Sequence, residues 1–202
     1  VKWCIEHGSS DSSTAAAIRS LYQMITDVTG HRELLLCRRA PRRDASLTLS
    51  RSYSPTYDDV ILRAKQARDI FLIIGPPGTG KTSMALQFLV REASAGVPTT
   101  TESRTTTPAV NILLMAYTNR AVDEICEMLT DNAIDYLRIG NRYTCAEPYR
   151  DHLIDEVLEQ YQSLREVKDR ILKARIIVGT TSTIQNRTYL FALKHFQLAI
   201  ID

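Results

Sequence analysis

The chain has 202 residues, 44% hydrophobic and 24% charged, a composition that suits one globular α/β domain with a sizeable core. No apolar run approaches the roughly 18 residues needed to cross a bilayer; the opening "VKWCIEHGSSDSS" lacks the charged-then-apolar pattern of a secretory signal. The chain therefore reads as soluble and intracellular, cytoplasmic or nucleoid-associated, with no membrane partner, while its net charge of +2 leaves nucleic acid to be argued from motifs alone.

Residues 1–55 read as an irregular N-terminal extension: a helix-like run "STAAAIRSLYQMITDV", an apolar "ELLLC", then an Arg- and Ser-rich "RRAPRRDASLTLSRSYSP". Arg38, Arg39, Arg42 and Arg43 could touch phosphates, but a short mixed basic loop is more often a solvated surface, and that reading is favoured. Cys4, Cys37, Cys126 and Cys145 show no C-x-x-C spacing, which points to reduced thiols rather than a zinc site or a disulfide framework. From Thr56 a helix is expected over "TYDDVILRAKQAR", with Asp58 and Asp59 in its first turn. The short apolar run "IFLII" that follows has the character of a buried parallel strand.

That strand leads into Gly75, Pro76, Pro77, Gly78, Thr79, Gly80, Lys81, Thr82 and Ser83, which satisfy the phosphate-loop pattern G-x-x-x-x-G-K-[ST]. Small residues let successive backbone N–H groups turn inward around a phosphate. Lys81 supplies a point charge for the β and γ oxygens, and Thr82 offers a hydroxyl to Mg²⁺. The amino end of the next helix, "KTSMALQFLVREASA", adds its positive dipole. A structural turn alone gives no reason for Lys-Thr at those two places, so a nucleoside triphosphate with Mg²⁺ is the expected ligand class.

Beyond the loop, "VPTTTESRTTTPA" (97–109) reads as an exposed loop, and "VNILLMAYTNRAVDEICEML" as a second buried strand, a polar break at Thr118-Asn119, and a helix. The apolar run "LAII" places Asp202 at the end of a buried strand, where a carboxylate can hold Mg²⁺. Residues 147–174 carry Leu153, Val157, Leu158, Tyr161, Leu164, Val167 and Ile171 at helical spacing, which predicts an amphipathic helix or helical pair inserted between core strands. His152 and His195 stand alone in sequence and receive no metal role.

"GPPGTGKT" and "AYTNRAVDEI" together resemble superfamily 1 helicases, particularly the nonsense-mediated-decay type; "DYLRIG", "ARIIVGTTSTI" and "FQLAIID" look like the short strands that follow in the order of that group, so the resemblance covers Phe71 to Asp202. It implies an α/β RecA-like P-loop NTPase fold over residues 56–202: a mainly parallel sheet with helices on both faces. It implies that Lys81 and Asp202 serve catalysis, that Thr82 and Asp202 hold Mg²⁺, and that Thr118, Asn119, Thr180, Thr181 and Ser182 face single-stranded DNA or RNA. Capping of the following helices is the plainer role for the same polar turns, and both roles can hold at once. The group has a Glu directly after the Asp202 position and a second RecA-like domain, neither within this chain; the fragment is accordingly expected to hydrolyse ATP poorly, the whole protein to be an ATPase. An alternative is an AAA+-like or switch-type ATPase that remodels a protein partner. One departure concerns adenine: where the group places a Gln in the helix before the loop, this chain has Asp58, and Gln66 reads as an exposed helix residue.

Overall fold

The computed structural model describes residues 12–95, 110–161 and 163–202. These fall into two compact units divided between Ala40 and Pro41. In the first, helices α1 (Ser12–Ile25) and α2 (His31–Leu35) are joined by a turn built on Asp27, whose carboxylate accepts from the backbone N–H groups of Thr29 and Arg32 at 2.9 and 2.8 Å. The predicted helical run thus forms.

The second unit opens with a segment that folds onto α3 (Asp58–Gln66), where Arg43 and Ala67 form an antiparallel bridge. Gln66 is buried rather than exposed: it accepts from Arg43 Nε at 2.9 Å and donates to the Leu47 carbonyl at 2.8 Å. Its amide satisfies backbone of the preceding segment, a partner that helical spacing cannot reveal. Arg42, expected on a solvated surface, is exposed and pairs with Asp69.

The run 70–74 departs from expectation. It joins no ladder among the described residues, and Leu72 and Ile74 are 76% and 93% exposed. An apolar run expresses a tendency to be buried, but a strand also needs a neighbour's unpaired N–H and C=O groups. The sheet among the described residues ends at another strand.

After the glycine-rich loop the chain makes one π-helical turn, Lys81–Ala85, and continues as α4 (Leu86–Ser94). The threonine-rich stretch 97–109 lies outside the described residues. Then come β1 (Ile112–Ala116), α5 (Asn119–Asp131), β2 (Leu137–Ile139), α6 (Ile154–Leu158), α7 (Leu164–Lys173), β3 (Ile176–Thr180), α8 (Thr181–Asn186), α9 (Tyr189–Leu193) and β4 (Leu198–Ile201). The four strands lie in the order β2-β3-β1-β4, all parallel.

Strand alternation divides the core. Ile112, Leu114 and Ala116 of β1 pack with Leu86, Val90, Val122, Ile125 and Leu129 from α4 and α5. Leu113 faces the other way, with Ile154, Val157, Ile171, Ile184 and Leu190 of the helices opposite. Burying each such side chain contributes about 1.5–3 kcal/mol, and only a sheet covered on both faces lets β3 be buried at all five positions. This is the expected α/β layering. Residues 147–174 are helical but broken: two-turn 3₁₀ backbone over Glu147–His152, then α6 and α7. Leu164, expected on the apolar face, is 89% exposed at the first position of α7, directly after the Ser163 cap.

Candidate nucleotide site

Three glycines shape the loop. Gly78 and Gly80 have φ of +78° and +73°, the left-handed region that side-chain-bearing residues enter at a cost. A Cβ on Gly75 would stand 2.9 Å from Thr79 Oγ1 and 3.6 Å from Lys81 Cδ. The Thr79 hydroxyl donates to the Pro76 carbonyl at 2.8 Å and closes the turn. Lys81 curls over the loop, its Nζ donating to the Gly75 and Pro76 carbonyls at 2.6 and 2.9 Å. Pro77, Gly78, Thr79 and Ser83 are exposed. At the helix start the N–H groups of Met84 and Ala85 both bond to the Gly80 carbonyl, at 2.9 and 3.0 Å, which is the wide turn seen there.

Asp202 reaches this loop from the far end of the chain. Its backbone N–H extends the β4 ladder to the Met115 carbonyl at 2.8 Å, and its Oδ2 accepts the Thr82 hydroxyl at 2.7 Å. The two oxygens foreseen as metal donors therefore meet, although they come from a helix start and a strand end.

The other polar turns stand on the same rim. Ala116 is level with Thr180, Met115 with Ile201, and Ile139 with Gly179, so the carboxyl ends of the strands coincide. Thr118 and Asn119 are exposed there, and the Thr118 side chain accepts from the Ala121 N–H at 3.2 Å as the cap of α5. Thr180 is buried, and its hydroxyl accepts from the Thr183 N–H at 3.1 Å and meets the Thr183 hydroxyl at 2.8 Å. Its side chain is thus committed to capping α8, whereas Thr181 is half-buried and Ser182 exposed.

Sequence reasoning missed the support beneath the loop. Asp58, at the place of the absent Gln, accepts from the N–H groups of Tyr53 and Ser54 at 2.8 and 3.0 Å and from the Ser52 hydroxyl. These three bonds hold its carboxyl below the usual carboxylate range. Glu92, buried in α4, accepts from Lys65, the Ser50 hydroxyl and the Tyr53 hydroxyl. Burial pushes its carboxyl up, but Lys65, Ser50 and Tyr53 together outweigh that and hold it low. Tyr57 donates its hydroxyl to the Thr79 carbonyl at 2.6 Å. These partners lie tens of residues apart and leave no local pattern. Elsewhere, buried Arg138 pairs with Asp123 beside Cys126, and His152 stacks on Tyr136 with centroids 4.1 Å apart.

Known proteins resemble this chain in sequence. A family model described as AAA domain matches residues 54–163, more than half of the chain. The chain is similar to the DNA replication ATP-dependent helicase/nuclease JHS1 of Arabidopsis thaliana, with 27% identity over 190 residues, 86% of this chain and 13% of that protein. The corresponding DNA2 of Saccharomyces cerevisiae is 25% identical over 183 residues, 85% of this chain and 11% of that protein. The DNA-binding protein SMUBP-2 of Rattus norvegicus is 26% identical over 115 residues, 57% of this chain and 10% of that protein. The chain thus spans little more than a tenth of the length of these relatives.

Proposed function

The chain belongs to the AAA domain family, and from that membership we propose that it is the ATP-binding part of a motor that couples ATP hydrolysis to movement along single-stranded nucleic acid. The observation that carries the reading is the Thr82–Asp202 contact at 2.7 Å, which joins the phosphate loop to the end of β4, while the adjacent β1 and β3 beyond it present polar turns on the same rim. The names of the relatives favour DNA as the track.

The residues fit the ligands. A loop in which a Cβ at Gly75 would strike Thr79 and in which Gly78 and Gly80 take positive φ lets backbone come close to a phosphate. The paired hydroxyl and carboxylate oxygens of Thr82 and Asp202 are the hard donors that Mg²⁺ takes. When bound, that ion neutralises charge on the phosphate oxygens. Lys81 exchanges two neutral carbonyl acceptors for phosphate oxygens, a stronger charge-assisted bond. On the rim, Asn119, Thr181 and Ser182 offer small amide and hydroxyl groups to a phosphate backbone, which orients a strand without reading its bases.

A single strand biotinylated at one end and blocked by streptavidin tests this reading in the full-length protein. ATP-dependent displacement of the block, lost in Lys81→Ala, is the expected result. ATP hydrolysis that displaces no block from either end, on DNA or RNA, points instead to a switch that acts on a protein partner.

A further inference from the structure

Tyr57 occupies the residue before α3, half-buried, with its ring edge-on to Phe88 of α4 at 5.7 Å between centroids and 71° between planes. Its backbone is held in turn: the next residue, Asp58, binds the N–H groups of Tyr53 and Ser54, and the Tyr53 ring packs on the same Phe88 at 5.4 Å. From this anchored place the Tyr57 hydroxyl reaches across 22 positions to the Thr79 carbonyl at 2.6 Å. It stands against Gly80 as well, since a Cβ there would lie 2.7 Å from the hydroxyl oxygen on one side and 3.4 Å from Met84 Cγ on the other.

We propose that Tyr57 is a positioning residue for the phosphate loop, fixing the Thr79–Gly80 peptide in the orientation that receives a nucleotide phosphate. In a planar trans peptide the carbonyl and the following N–H point in opposite directions. Holding the Thr79 oxygen toward Tyr57 therefore turns the Gly80 N–H to the opposite side. Glycine at 80, with its positive φ, leaves this peptide otherwise easy to rotate. A side chain rooted on two helices restrains a loop that its own residues leave loose, so less ordering remains to be done when the phosphate arrives. Tyr57 touches neither reacting atoms nor metal donors, and its effect falls on nucleotide affinity rather than on the chemical step.

The inference rests on the phosphate-loop reading of the proposed function, and one set of titrations separates the two. A fluorescent ATP analogue is titrated into the full-length protein as wild type, Lys81→Ala and Tyr57→Phe, with ATPase kinetics and melting curves on the same preparations. Tyr57→Phe keeps the ring against Phe88 and removes only the hydroxyl. The expected result is a Kd and a KM for ATP raised about 2- to 10-fold, the range of one hydrogen bond. The same variant should keep its kcat within about two-fold and melt with wild type. Unchanged affinity in Tyr57→Phe with weakened binding in Lys81→Ala overturns the role of Tyr57 and leaves the loop reading standing. A fall in melting temperature together with affinity assigns Tyr57 a merely structural role and also overturns it. Unweakened binding in Lys81→Ala overturns the loop reading and the inference with it.

Discussion

The Thr82 hydroxyl donates to the Asp202 carboxylate at 2.7 Å across 120 residues of sequence. The contact locates where the start of one helix meets the end of β4, and the proposed reading assigns the metal to that meeting point. Asp202→Asn keeps the size of the side chain and removes its charge. A metal ion on phosphoryl oxygens contributes several kcal/mol to the transition state, so ATP turnover by the full-length protein is expected to fall by about 100-fold or more. Nucleotide binding should change far less. Parallel turnover and binding measurements check this.

Gly78 and Gly80 provide a matched pair. Both have positive φ, but a Cβ on Gly78 meets nothing within 4 Å, whereas one on Gly80 strikes Tyr57. Gly78→Ala is expected to cost only the backbone strain of about 1–2 kcal/mol. Gly80→Ala adds the clash and should weaken ATP binding about 10-fold further. Equal effects of the two substitutions on a binding isotherm would contradict the geometry.

Glu92 and Asp58 set an acid limit on the segment that supports the loop. Both carboxyls are held below their ordinary values, by Lys65, Ser50 and Tyr53 for Glu92 against the upward push of burial, and by Ser52, Ser54 and Tyr53 for Asp58. A carboxyl depressed on folding adds stability that is complete above its unfolded pKa, near 4, and is lost as the pH falls through the folded value. Stability should therefore hold from pH 7 to about 5 and decline below about 4. Glu92→Gln is expected to cost about 1–3 kcal/mol at pH 7 and to flatten that decline. Urea melts at several pH values measure both.

Buried Arg138, 1% exposed, has Asp123 as its charged partner. Removing one member of such a pair leaves an uncompensated charge and costs about 3 kcal/mol or more. Asp123→Ala should lower the melting temperature by roughly 6–12 °C. A shift within a degree would show that Arg138 finds other compensation.

Strands β1 and β4, the helix after the loop and the Thr118 cap were legible because each is written in a few adjacent residues: continuous apolar runs for the strands, Thr before a helical periodicity for α5; β2 and β3 were legible through the resemblance of "DYLRIG" and "ARIIVGTTSTI" to the helicase group. What escaped depends on partners distant in sequence. Residues 70–74 have the composition of a strand but no ladder among the described residues. Gln66 is polar yet buried, because Arg43 and the Leu47 carbonyl satisfy it. At the candidate site the glycine-rich motif marks the loop candidates in adjacent residues, and the place of Asp202 after "LAII" marks it as a strand-end carboxylate. Tyr57 carried no signal, since nothing in "SPTYDD" tells that a hydroxyl will reach the Thr79 carbonyl.

The measurement that bears most directly on the proposed motor is ATP hydrolysis by the full-length protein with and without single-stranded DNA and RNA oligonucleotides, alongside Lys81→Ala. Expected is hydrolysis stimulated by one or both polymers, DNA foremost, and abolished by the substitution. Lys81-dependent hydrolysis that neither polymer changes would contradict a nucleic-acid motor.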